Sequence, residues 1–93
     1  MDNAEAKALL NAHLQSYRAK SYAELAALVG TVQVAQLPGA GGVEYQVEIT
    51  FHWDDRAGGD IRVMGSVDDG GWRAFVPLCE DFILAPGGSF VGE

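Results

Sequence analysis

His52, Cys79 and the aspartates around Gly58-Gly59 are the residues whose types and spacing could carry chemistry, and each points to a different reaction. His52 shares one face of the alternating run Val43 to Trp53 with Glu44 and Glu48. A carboxylate beside an imidazole raises its pKa and equips it as a general acid or base. No Ser or Cys nucleophile stands at a fixed spacing from His52, so a surface histidine is the simpler reading. Cys79 precedes Glu80-Asp81, whose negative charge disfavours the thiolate, and an inert thiol is expected. Asp54, Asp55 and Asp60 surround two glycines, but calcium takes about 6 to 8 oxygens and this spacing fits no calcium loop. Turn chemistry accounts for them and for Asp68-Asp69-Gly70-Gly71. Gly39 to Gly42 is not followed by a helix signature with Lys and Ser or Thr, so it reads as a turn and not a phosphate loop. The expectation is therefore no catalytic residue, no metal and no cofactor.

Two other groups of side chains are positioned by pattern alone. Tyr17, Tyr22, Trp53 and Trp72, with Tyr45 and Phe51, fall on faces expected to point inward. They either fill a small core, each aromatic burying about 150 to 250 Å², or line a shallow ligand site at the mouth of the helix-sheet layer. On the opposite face Thr50, Met64 and Phe75 bring apolar surface among His52, Arg62 and Arg73. Arg, Met and Phe are enriched at interfaces. The plainer reading is a solvated sheet whose cross-strand Arg and Glu pairs contribute under about 1 kcal/mol each.

The elements that must hold these side chains follow from composition. Residues 1–29 contain neither Gly nor Pro, whereas the remainder holds all 12 Gly and all 3 Pro of the 93 residues. Helix comes first, then strands and turns. Asp2 or Asn3 can cap a helix whose apolar positions Ala6, Leu9, Leu10, Leu14 and Tyr17 recur at spacings of three and four. Ser21 to Glu24 reads as a capping box, so the helical part is bent or broken near Lys20. Gly30 is placed to end it in the left-handed conformation. Strands are expected over Thr31 to Leu37, Val43 to Trp53, and Asp60 to Val67 with Gly65 on the inner face. A return strand over Trp72 to Leu78 follows from the Asp69-Gly70 hairpin signal. Phe82 to Leu84 and Ser89 to Val91 form a last short hairpin or an interrupted edge strand.

The net charge of −7, all of it in the sheet half, argues against nucleic acid and anionic membranes as partners. A single Cys excludes an internal disulfide and suits a reducing, cytoplasmic setting. No apolar run approaches the ~20 residues of a membrane span. Residues 1–93 read as one α+β domain, with a helical part over 3–29 and a sheet part over 31–92.

The helical pattern Leu14, Tyr17-Arg18-Ala19-Lys20-Ser21-Tyr22, Leu25-Ala26 and Leu28, followed by curled antiparallel strands, resembles the nuclear transport factor 2 and cystatin-like superfamily. Gly65 to Arg73 is similar to a small bacterial group of that superfamily to which no activity is attached. The resemblance implies a bent helix in the concave side of a curved antiparallel sheet of four to five strands, forming a cone. It also implies a homodimer through the outer sheet face, and a pocket lined by the inner aromatics. Only Pro38 to Gly42 stands where the larger family has a further helix, which leaves that pocket open to question. The leading expectation is a non-enzymatic assembly module that homodimerises through Thr50, His52, Arg62, Met64, Arg73 and Phe75. The alternative is a small-molecule binder or enzyme at the cone mouth, near Tyr17, Tyr22, Trp53 and Trp72. Docking of a basic protein on the acidic loops is a third reading.

Overall fold

A computed structural model describes residues 1–70 and 77–93. Helix α1 spans Asn3–Arg18 and begins where Asp2 accepts the Glu5 amide at 3.0 Å. Helix α2 spans Tyr22–Leu28 and restarts the helical path after a break at residues 19–21. The restart is the expected capping box: the Glu24 amide donates to the Ser21 hydroxyl at 3.1 Å, and the Ser21 amide to the Glu24 carboxylate at 3.0 Å. Those two bonds hold the Glu24 carboxyl below its ordinary range. Past α2, Gly30 takes φ +86°, and its amide donates to the Phe51 carbonyl at 3.0 Å. The chain thereby turns from helix into sheet where glycine alone is unstrained.

Strands β1 (Val32–Pro38), β2 (Glu44–Trp53), β3 (Ile61–Asp68) and β4 (Leu78–Leu84) form an antiparallel sheet in the order β1-β2-β3-β4. Each strand pairs with its neighbour in sequence, which makes a meander with two edges, β1 and β4. The register sets Ile49 opposite Gly65 and Thr50 opposite Met64, so the alternation in β2 and β3 shares one inner and one outer face. Across from β3, Val67 faces Leu78 and Ile61 faces Leu84. Pro77 has no amide to give a ladder, and the period-two pattern of Leu78, Phe82 and Leu84 belongs to residues beyond it. Of the return strand expected over Trp72 to Leu78, residues 72–76 lie outside the described residues. The short terminal hairpin does form, on a turn in which the Ala85 amide donates to the Ser89 carbonyl at 2.8 Å and Leu84 bridges to Phe90.

Both helices pack on the inner face, α1 over β3 and β4 and α2 over β2 and β3. The core comprises Ala6, Leu10, Leu14, Tyr17 and Leu25 from the helices, against Tyr45, Val47, Ile49, Phe51, Ile61, Val63, Val67, Phe82 and Leu84. The 3.6-residue period of α1 and the two-residue period of the strands bring these residues to one layer. Gly65 sits at the closest approach. A Cβ there would lie 2.7 Å from Leu10 Cδ1, 3.1 Å from Ile49 Cδ1 and 3.3 Å from Leu14 Cδ2. Absence of a side chain lets α1 settle directly on β3.

Two polar attachments fix the ends of α1. At its start the Tyr45 hydroxyl donates to Glu5 Oε1 at 2.8 Å, while Glu5 Oε2 accepts the Ala40 amide at 3.0 Å. The hydrogen bond to Glu5, helped by burial and by the charges of Glu5, Asp2 and Asp69, pushes the Tyr45 phenol up to about 12. At its end Arg18 lies over the rings of Phe82 and Phe90, 4.9 and 4.7 Å from their centroids. Its two terminal nitrogens donate to the Glu93 carboxylate at 2.7 and 2.6 Å, which holds that carboxyl below its ordinary range.

Gly65→Ala is expected to destabilise the fold by about 1 to 3 kcal/mol through overpacking against Leu10, read as a lower denaturant midpoint. A phenol raised above its ordinary 10.0 stabilises the fold fully below that value. That contribution is lost as the pH rises from 10 towards 12. Alkaline denaturation curves should therefore show a decline over this window that Tyr45→Phe reduces, the buried Tyr17 phenol accounting for part of the remainder.

Candidate functional site

Helices cover only one side of this sheet, so the outer face is the largest organised surface that the described residues leave open. The register lays its side chains out in cross-strand rows. Val32, Thr50, Met64 and Asp81 form one row; Val34, Glu48, Ser66 and Cys79 form the next. His52, Arg62 and Ile83 form a third row across β2, β3 and β4. Val32 is 56% exposed, Val34 59% and Met64 38%. Thr50 and Ile83 are half-buried. Val32 and Met64 thus flank Thr50 in one row and Val34 stands beside Val32 in the next, with Glu48 and Asp81 as the acids of these rows and His52 and Arg62 on the other side.

Arg62 is held within the chain. Its Nε donates to Asp54 Oδ1 at 2.8 Å and its Nη1 to Asp81 Oδ2, linking the end of β2 to β4 across β3. These bonds, Asp54 first, raise the guanidinium further above its ordinary value. His52 turns Nε2 to the Thr50 hydroxyl at 3.0 Å, two residues back on the same face. The wet-face carboxylates Glu44 and Glu48 take no part in that bond. Of the six residues expected at an outer-face interface, Thr50, His52, Arg62 and Met64 stand together on this face. Arg73 and Phe75 lie outside the described residues.

A depression of about 200 Å³ opens on the same face, lined by Met64, Cys79, Glu80 and Asp81. Cys79 is exposed there, with its Sγ 3.8 Å from the Pro77 carbonyl oxygen. A second depression of about 290 Å³ lies at one end of the sheet among Asp55, Arg56, Gly58, Gly59, Asp60 and Pro86. Asp54 faces Arg62 instead of this loop, and among the described residues no three His, Cys, Asp or Glu side chains gather as metal ligands. Lys7 pairs with Glu80 at 3.2 Å on the helix side of β4.

The inner aromatics are engaged in packing. Tyr17 is buried, its ring 5.5 Å from that of Phe51 and 5.6 Å from that of His13, and burial pushes its phenol up. Tyr22 donates its hydroxyl to the Gly59 carbonyl at 2.7 Å, which ties α2 to the β2–β3 loop. Trp53 is half-buried against the core. Trp72, the fourth residue expected at a cone-mouth site, lies outside the described residues. Neither depression described above is lined by Tyr17, Tyr22 or Trp53.

Val32 and Val34 are the site residues that sequence reasoning missed. Their alternation was visible in Val-Gln-Val, but nothing local says which face the valines take. Pairing with Thr50 and Glu48 decides it, because a shift of one residue would exchange the faces.

Loss of the bond to Gly59 in Tyr22→Phe should lower stability by about 0.5 to 1.5 kcal/mol. Thermal unfolding of the two proteins side by side measures it. No known protein family, curated protein or solved structure matches this chain.

Proposed function

We propose that this chain is a non-enzymatic assembly module that forms a homodimer through the outer face of its sheet. The observation that carries the reading is the exposed apolar stripe Val32, Val34 and Met64 on a face that no element of the described chain covers. An antiparallel sheet with one wet face ordinarily carries polar side chains there. Water-exposed Val and Met side chains are the exception, and exposed apolar surface gains by association.

Thr50 and Met64 supply the centre of the contact and the valines extend it towards the edge. Arg62, already paired with Asp54 and Asp81, offsets part of the negative charge with which these carboxylates would repel a second copy. His52 borders the patch. A small domain buries only about 60 to 65% of its unfolded surface, so burial of a second face adds stability that its own core does not supply. Helices packed on one side of an antiparallel sheet also agree with a cystatin-like cone, a family whose members dimerise in this manner. A setting in the cytoplasm, where Cys79 stays reduced, suits the reading.

Light scattering after size-exclusion chromatography should give a mass of about twice the 9.9 kDa chain. Met64→Asp places a carboxylate in the centre of the stripe and is expected to return the mass to that of one chain with an unchanged circular dichroism spectrum. A wild-type protein of one-chain mass at every concentration overturns the proposal.

A further inference from the structure

The two edges of the sheet are treated differently by the sequence. On β4, Glu80 and Asp81 place charge along the strand, and the chain folds back so that the Val91 amide donates to the Ile83 carbonyl at 2.9 Å. Charge and cover are the usual means of blunting an edge. Among the described residues, strand β1, Val-Gln-Val-Ala-Gln-Leu-Pro, has neither. It contains no ionisable residue in a chain whose net charge is −7. Neither helix makes its main packing contacts with it.

The ladder shows which backbone groups of β1 are free. The Gly39 amide donates to the Val43 carbonyl at 2.7 Å, and the register continues from that pair through Leu37–Tyr45, Ala35–Val47 and Gln33–Ile49. In an antiparallel pair, alternate residues bond across the ladder and the others turn away. Leu37, Ala35 and Gln33 therefore bond to β2. Val32, Val34 and Gln36 point their amides and carbonyls to the open edge, and Pro38, which has no amide, falls in the same set. A proline so placed costs the β1–β2 ladder nothing.

We infer that β1 pairs edge to edge with β1 of a second copy, antiparallel, about a two-fold axis at Val34. That register sets Val34 opposite Val34 and Val32 opposite Gln36 on each side, every opposed pair exchanging two backbone hydrogen bonds. All the outward amides of Val32, Val34 and Gln36 then find carbonyls. Moving the axis to Ala35 would set Val32 opposite Pro38 and lose a donor. The edge is thus self-complementary, which favours a second copy over a foreign strand. The uncharged strand also spares two acidic chains from opposing like charges across the seam. Pairing continues the sheet and brings the Val32 and Val34 side chains of both copies onto one outer face. The inference goes beyond the outer-face reading, since it rests on the backbone of an edge and not on side chains of a face.

Amide hydrogen exchange of the full chain, followed by NMR at several concentrations, tests it. Gln33, Ala35 and Leu37 should be protected throughout. Val32, Val34 and Gln36 should exchange slowly, by about tenfold or more relative to their rates on dilution, only where the assembly is populated. Free exchange at these three positions at all concentrations, with the other three protected, overturns the edge pairing. If a dimer is nonetheless present and Met64→Asp dissociates it, the outer-face reading survives alone. If the three amides are protected and Met64→Asp leaves the mass unchanged, the edge pairing stands and the outer face fails. Val34→Pro removes an outward amide that β2 does not use, and is expected to abolish the concentration-dependent protection at Val32 and Gln36. Should that variant not fold, the wild-type exchange pattern still decides.

Discussion

Leu10 resting on the bare backbone of Gly65 is the contact on which the remaining arrangement depends. Helices can approach a sheet only as closely as the side chains between them allow. With no Cβ at residue 65, α1 lies low on β3, and Leu14 and Tyr17 follow it into contact with Ile49 and Phe51. The helix then needs anchoring at both ends, and the chain provides it with Glu5 beneath Tyr45 and Arg18 between two phenylalanines. Gly39 belongs to the same device, because a Cβ there would fall 2.5 Å from the Tyr45 ring and 2.6 Å from Glu5 Oε1. Two glycines of quite different sequence context thus serve one purpose, the close seating of a single helix.

That seating also determines what is left uncovered. Two helices of 16 and 7 residues reach across β2, β3 and β4 on one side, and no described element covers the other. A larger domain would place a second layer there. This one presents Val32, Val34 and Met64 to water, with Glu48 to one side and Arg62, tied to Asp54 and Asp81, to the other. Tyr22 closes a loop and His52 meets Thr50, and among the described residues no three His, Cys, Asp or Glu side chains gather as metal ligands.

Much of this was legible in local patterns. The Asp2 cap, the Ser21–Glu24 box, the left-handed Gly30 and the alternation through Val43 to Trp53 all follow from physics acting within a few residues. The inner placement of Gly65 was legible too, since its strand neighbours carry the same period. Long-range pairing was not. Leu78, Phe82 and Leu84 alternate with the period of a strand, but no local signal says that they pair with Val67, Val63 and Ile61. The faces of Val32 and Val34 needed the register with β2. The bond from Tyr45 to Glu5 joins residues 40 apart, and no short-range signal announces it.

Sequential strand order bears on how the chain reaches its fold. Every pairing in the meander joins neighbours, so the loops closed are short ones and the entropy lost at each step is small. The sheet can grow hairpin by hairpin from β1. Arg18 and Glu93, 75 residues apart, stand outside this local order. Their bidentate contact closes the widest loop described in the structure, and a nascent chain can make it only once the terminal turn has emerged. A sheet assembled from local steps is in this way tied to its first helix by distant ones, Lys7 to Glu80 among them.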